Sequence, residues 1–447
     1  MATSTSDLGT SDLGPIAHNT RHLCRLDIPG GGQVTADGDT LYIAHMEPPF
    51  GTSILDISDP RAPKIVGKVE LPNDHSHSHK ARVAGDVMIT NAEFWYRGSL
   101  GQGRKVRSTQ LALEKELKRA PTDEEIAARL GLTVPEVLEM VRLENATNYD
   151  EGGFHLWDVS DRTNPKHIHF QKTFGKGCHR FDMDETYAYM STEMEGFVGN
   201  ILVIYDISNP ARPEEVSRWW LPGQNLAAGE TPTWDGAYVR LHHALRFGDT
   251  MWAGCWGGGV AAIDVSDIRT PKTIGSYDYH PPFREVSHTF MPVPFEVGGR
   301  KVALAIDEEG RHPATGQMHA FMWVFDVGDI ANMTPIATYS MDEGDSPHAK
   351  PAVEGGLRFG AHQFREKMTD TLVYATWFAG GLRIVDVKDP LLPEEVGYFI
   401  PAPSPAETLV EGLRSVQSND VDLDDRGIIY VLDRFNGLDV IEYVPHT

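Results

Sequence analysis

One motif returns seven times along this 447-residue chain and limits what it can fold into. In order it reads "SILDISDPRAP", "FHLWDVSDRTNP", "ILVIYDISNPARP", "VAAIDVSDIRTP", "MWVFDVGDIANMTP", "LRIVDVKDPLLP" and "LDVIEYVP". The anchoring acids are Asp56, Asp158, Asp206, Asp264, Asp326, Asp386 and Glu442, at intervals of 102, 48, 58, 62, 60 and 56 residues. Each unit is an apolar, β-branched strand, then a turn rich in Asp, Asn and Pro, then another strand. Two further strands precede it, as in "HQFREKMTDTLVYATWFAGGLRIVDV". Four strands repeated seven times at roughly 50 residues predict an all-β, seven-bladed β-propeller.

The seventh unit stops after "LDVIEYVPHT" without an outer strand, and the N-terminal "RHLCRLDIPG" matches the outer strands "IVGKVELP" and "VGYFIPA". Residues 21–28 are therefore expected to complete the last blade and remove the open edge. This places a propeller over residues 21–447 behind a disordered tail, 1–20. The wording of the repeat resembles the LVIVD-repeat proteins, a family of seven-bladed propellers. That resemblance implies the fold and says little about activity.

Aligning the units on their first strands brings Gln33, His79, His179, His243, His288, His362 and Asn419 to one position. In blade 2, "NDHSHSHK" offers His75, His77 or His79. First strands line a propeller's channel, so these side chains are expected to converge at one mouth. A lone histidine there is most simply a polar plug. Five blades each contributing one point instead to a metal site with His79, His179, His243, His288 and His362 as ligands. Imidazole suits a divalent transition metal: iron first, with copper, manganese or zinc as alternatives. Second strands end at Glu47, Glu93, Glu193 and Glu308, near the same mouth. Of these, Glu93 and Glu193 are candidate bases or ligand-orienting acceptors. Trp95, Trp256 and Trp377 end equivalent strands and could wall an apolar pocket or pack between blades. Long connections such as "PGQNLAAGETPTWDGAYVRLHH" enter the first strands on that face, whereas turns such as "SDPRAP" on the other stay short.

The arrangement resembles, in architecture only, two propeller families with axial histidine metal sites. These are the carotenoid cleavage oxygenases and the selenium-binding protein group, which includes methanethiol oxidase. The resemblance implies redox or oxygen chemistry on a small, partly apolar substrate. Two alternatives stand beside it: a hydrolase or lyase using metal-activated water, and a non-catalytic scaffold whose decorated face binds a protein.

The anomalous first interval is an insertion, residues 97–150, in blade 2. Its periodicity becomes helical, with Ile126 and Leu130 at i,i+4 and Val134, Val137, Leu138 and Val141 following. "TDEE" from Thr122 is a capping box and "TVPE" opens another helix. Residues 104–144 resemble the helix-turn-helix of sigma-factor region 3. A DNA-reading helix would be basic, yet "PEVLEMVRLE" is acidic, and the cluster Arg104, Lys105, Arg107 is small. A lid or a homo-oligomer contact is the expectation. The net charge of −24 disfavours nucleic acid and anionic membranes as partners. Three widely spaced cysteines argue against a disulfide framework, and "MATSTSDLGTSDLGPIAHNT" lacks a signal peptide's basic start and apolar run. These features point to a cytoplasmic protein acting on a small molecule.

Overall fold

Six of the seven repeat acids end the third strand of a blade and hold the following turn in the same way. The carboxylates of Asp56, Asp158, Asp206, Asp264, Asp326 and Asp386 each accept the backbone N–H two residues on, at 2.9 Å. This Asx turn substitutes a side-chain oxygen for a backbone acceptor and starts the descent into the fourth strand. Glu442, in the seventh unit, instead accepts from Arg21 Nε at 3.1 Å.

The computed structural model describes residues 13–73, 76–94, 106, 109–110, 112–138, 148–234, 239–280, 283–310, 318–403 and 414–445. Its strands form seven antiparallel four-stranded blades. The innermost strands, in blade order, are Gly31–Asp37, Ala81–Ala84, Phe174–Met183, Val239–Phe247, Val286–Pro292, Ala361–Phe364 and Ser418–Leu423. Every seam between neighbouring blades has its own buried apolar cluster. The seam between the last blade and the first, with Leu41, Ile43, Tyr430 and Leu432 fully buried, is as dry as the others. Burying one such aliphatic side chain contributes about 1.5–3 kcal/mol, which explains why second and third strands are apolar on both faces.

The last blade is closed by the N-terminal strand Thr20–Pro29, which pairs antiparallel with Asn436–Tyr443 from Thr20↔Tyr443 to Pro29↔Asn436. The expected tail is shorter than residues 1–20. Residues 1–12 lie outside the described residues, but Ile16–His18 is a strand paired with Glu394–Ile400. It covers the edge that blade 6 would otherwise expose. Asn19, at φ 51°, then turns the chain into the next blade, its amide donating to Val396 O at 2.7 Å. Deleting residues 1–29 should expose the Asn436–Tyr443 edge, so the variant should aggregate on heating well below the wild-type transition. Light scattering during a thermal ramp reads this, and an unchanged onset would contradict closure by that strand.

The insertion lies between the second and third strands of blade 2, Val87–Phe94 and Gly153–Asp158. Helix Asp123–Leu130 is capped at both ends, by the Thr122–Glu125 capping box and by Gly131 at φ 69°. It shares a small core with Val106, Leu113 and Val137, separate from the blade seams. Arg104, Lys105, Arg107 and Val141 lie outside the described residues. Among the described residues no helix is long and apolar enough to cross a membrane.

Candidate metal centre

The innermost strands share a device that aims one side chain at the channel axis. Their pairing with the second strand slips at 31/33, 178/180, 287/289, 361/363 and 418/420, leaving Gly32, His179, His288, His362 and Asn419 unpaired. Blade 4 slips between Val239 and His243, a segment that includes His242. Blade 2 interrupts its inner edge between Ser76–His77 and Ala81–Ala84, and His79 lies in the gap. A bulge that re-aims a side chain is a recurrent feature of sites at sheet ends.

The result is an arc of imidazoles around a cavity of about 220 Å³. Ring centroids are 3.8 Å apart from His77 to His79, then 5.1 Å to His179, 4.9 Å to His242, 4.2 Å to His288 and 4.5 Å to His362. Blade 1 contributes no imidazole: Gly32 stands at its position in the arc, where a Cβ would lie 2.6 Å from His79 Cβ. Among the described residues, two groups of donors have ligand atoms within 4.8 Å of one another: His77, His79 and Glu93, and His242, His288 and Glu308. His179 links them, with Nδ1 2.8 Å from Glu93 Oε2 and Nε2 3.0 Å from His242 Nε2.

Four rings share a tautomer set by their outer partner. Nδ1–H is directed to Met46 O by His77 (2.8 Å), to His288 O by His242 (2.8 Å), to Thr289 Oγ1 by His288 (2.9 Å) and to Asn419 O by His362. This assignment follows from the hydrogen-bond network and puts the lone pair on Nε2, as in most protein metal sites. Burial holds His79, His242, His288 and His362 well below the ordinary imidazole range, hence neutral. Burial alone would push Glu308 up, but its carboxylate is held well below the ordinary range, chiefly by the Arg358 guanidinium beside it, and stays ionised. Neutral imidazoles beside a carboxylate are the charge states a divalent cation binds.

The structure brings His79, His179, His288, His362 and Glu93 together as expected, and moves two other candidates. His243 does not line the cavity. It points down the channel, with Nε2 3.3 Å from Phe181 O and Nδ1 3.2 Å from Glu366 Oε1, and His242 takes its place in the arc. Glu193 is also absent from the cavity: its carboxylate turns back to accept Lys176 N–H at 2.8 Å. Gln33 is likewise one position off, Gly32 occupying its place. Glu308 was legible as a strand-end acid, whereas Glu47 is exposed. His77 joins the site, and His75 and Trp95 lie outside the described residues. Trp256 lies tilted beside His242, ring centroids 4.9 Å apart; Trp377 is fully buried against Tyr339 at a blade seam. Burial pushes the Cys178 thiol well up, which leaves it inert as a nucleophile.

Next to Glu308, the buried Glu309 is held by His319, Nδ1 2.7 Å from Glu309 Oε2 and Nε2 3.0 Å from Glu343 Oε1. Burial lowers the His319 pKa, but the two carboxylates overcome it and raise it to about 9. A raised folded-state value means the stabilisation is complete below about pH 6.5, the unfolded imidazole value. It is lost as pH rises through 9. Urea melts should therefore show wild type more stable than His319→Gln at pH 6, with the gap narrowing by pH 9.5. A gap that stays constant would contradict an imidazolium clamp.

The chain matches the LVIVD repeat family over residues 32–70 and 184–219, within blades 1 and 3, and the sigma-70 region 3 family over residues 102–148. No curated protein matches it. Among solved structures it is similar to a chain of the mitotic checkpoint complex, at 9% identity and TM-score 0.54, covering 96% of each chain. It is similar also to the WD40 β-propeller domain of Doa1, at 7% identity and TM-score 0.52, covering 95% of this chain and 97% of that one. At such identities the likeness extends to the propeller fold alone.

Proposed function

We propose that the cavity holds a divalent transition metal, iron first, and that the protein is a metal-dependent oxidoreductase acting on a small, partly apolar substrate. The observation that carries this reading is the group His242, His288 and Glu308. Two neutral imidazoles and one ionised carboxylate converge there from two blades. That donor set, with coordination positions left open, is the one non-haem iron oxygenases use. Bound there, the metal would supply oxygen or redox chemistry that the side chains lack.

The chain's own residues have separable tasks. Glu308 is fixed by Arg358 Nη1 and lies 3.9 Å from both His288 Nε2 and His362 Nε2. Arg180 Nη1 donates to His288 Nε2 at 3.2 Å, so metal entry requires this guanidinium to yield that lone pair and stay with Glu366, 2.7 Å away. Trp256 gives the cavity an apolar wall, and Arg240, 4.6 Å above its ring, offers a cation to an acidic group of the substrate. Glu93 is better suited to positioning His179 than to acting as a base, since its oxygen already takes up His179 Nδ1. That favours redox over metal-activated water.

Metal analysis tests the reading. Purified protein, stripped with chelator and reloaded anaerobically with Fe(II), should retain iron after desalting and bind nitric oxide at an open position. Glu308→Gln should lose the nitric oxide signal and retain less iron. Protein that retains no metal on reloading would leave the propeller a binding scaffold.

A further inference from the structure

We infer that this mouth of the propeller is built for two metal ions, one on each side of His179. The inference rests on the metal-binding reading above and concerns how many ions the arc takes. The second site is His77, His79 and Glu93, all from blade 2; the first is His242, His288 and Glu308, from blades 4 and 5.

Three observations favour two ions. A first-row ion binds imidazole nitrogen at about 2.0–2.1 Å, so ligand atoms of one ion lie within about 4 Å of each other. Each group comes within an ångström of that reach, with its own atoms inside 4.8 Å. The whole arc does not. Its donors fall into these two groups rather than one, with His179 between them. Donor number points the same way. The six imidazoles of the arc with Glu93 and Glu308 make eight side-chain donors, against the roughly four to six positions of a single ion.

The placement of His179 is the third. Its two nitrogens face opposite groups, Nδ1 towards Glu93 and Nε2 towards His242. A plug or a packing histidine needs only one polar partner. This ring instead stands between two equivalent donor sets, each with two histidines and one glutamate. In the second group, His77 and His79 stack at 3.8 Å with an interplanar angle of 17°, presenting two rings side by side in front of Glu93. The side chain of Asn91, whose oxygen accepts Lys80 N–H at 2.8 Å, donates to His79 Nδ1 at 3.3 Å, so an ion taken on this ring requires that amide to yield, as Arg180 must at His288.

The test is a Co(II) titration of the full-length apoprotein, followed by visible absorbance and by metal analysis after desalting. It is done in a His155→Gln background, because His155 Nδ1 and His167 Nε2 form an unrelated surface pair 3.0 Å apart. Saturation at two equivalents is expected, falling to one in His77→Ala and to one, with a different spectrum, in Glu308→Gln. Glu93→Gln replaces His77→Ala should that variant fail to fold by circular dichroism. One equivalent in the parent, unaffected by His77→Ala and Glu93→Gln but lost in Glu308→Gln, would overturn the second site and leave the single-metal reading standing. No retained cobalt would overturn both.

Discussion

Replacing His242 with alanine is expected to abolish metal binding at the group it shares with His288 and Glu308, while the same change at His243, the next residue, leaves metal binding intact and lowers stability instead. The two imidazoles differ by one step along a strand and face different surroundings. His242 Nε2 faces the arc, its Nδ1 anchored on His288 O. His243 is fully buried in the channel among Arg180, Phe181 and Glu366. Loss of an outer-shell partner alone costs roughly 10–100-fold in metal affinity, and removal of a ligand should exceed that. His243→Ala should cost up to about 3 kcal/mol in folding stability, the usual ceiling for losing a buried side chain. Metal content and urea melts on the two variants separate the cases. Equal metal loss in both would mean the bulge in blade 4 does not select His242.

The second large effect is expected below the cavity. Glu366 gathers Arg82, Arg180 and His243 around one carboxylate, and also accepts from Gln363 at 2.6 Å. Arg180 is almost entirely buried, and its guanidinium is kept there by Glu366 on one side and His288 on the other. Glu366→Ala would leave two guanidiniums in the channel without their shared counter-charge. Removing one partner of a buried ion pair costs about 3–5 kcal/mol. Denaturant midpoints should show a loss of that size, with Glu366→Gln intermediate because its amide oxygen still accepts one N–H. A change below about 1 kcal/mol, the range of exposed pairs, would mean water reaches this cluster freely.

The propeller itself was legible because its signal is redundant. Six Asx-turn acids stand at near-regular intervals, each with apolar strands before it, and the unmatched outer strand at the N-terminus supplied the closure. Ile16–His18 was not legible: three residues carry no periodicity, and what makes them a strand is the exposed edge of blade 6.

The site was half legible for one physical reason. Alternation along a strand locates a side chain only while pairing stays in register, and here the register slips at the functional position itself. In blades 3, 5 and 6 the histidine has no histidine neighbour, so the slip did no harm. In blade 4, "HH" offered two candidates and the count chose the wrong one; in blade 1 it chose Gln33 over Gly32. Glu193 and Glu308 occupy equivalent strand ends. What parts them is a backbone N–H of Lys176 near one and the guanidinium of Arg358 near the other, neither of which pattern reading can place.

The closing strand has a consequence for how the molecule is made. Arg21 and Glu442, which meet in the last blade, are 421 positions apart in the chain. During synthesis the Thr20–Pro29 segment emerges long before Asn436–Tyr443 and cannot find its place until that strand has left the ribosome. Long-range pairing of this kind folds slowly and leaves unpaired edges open to misassembly meanwhile. The last blade therefore closes only after every other blade has been synthesised.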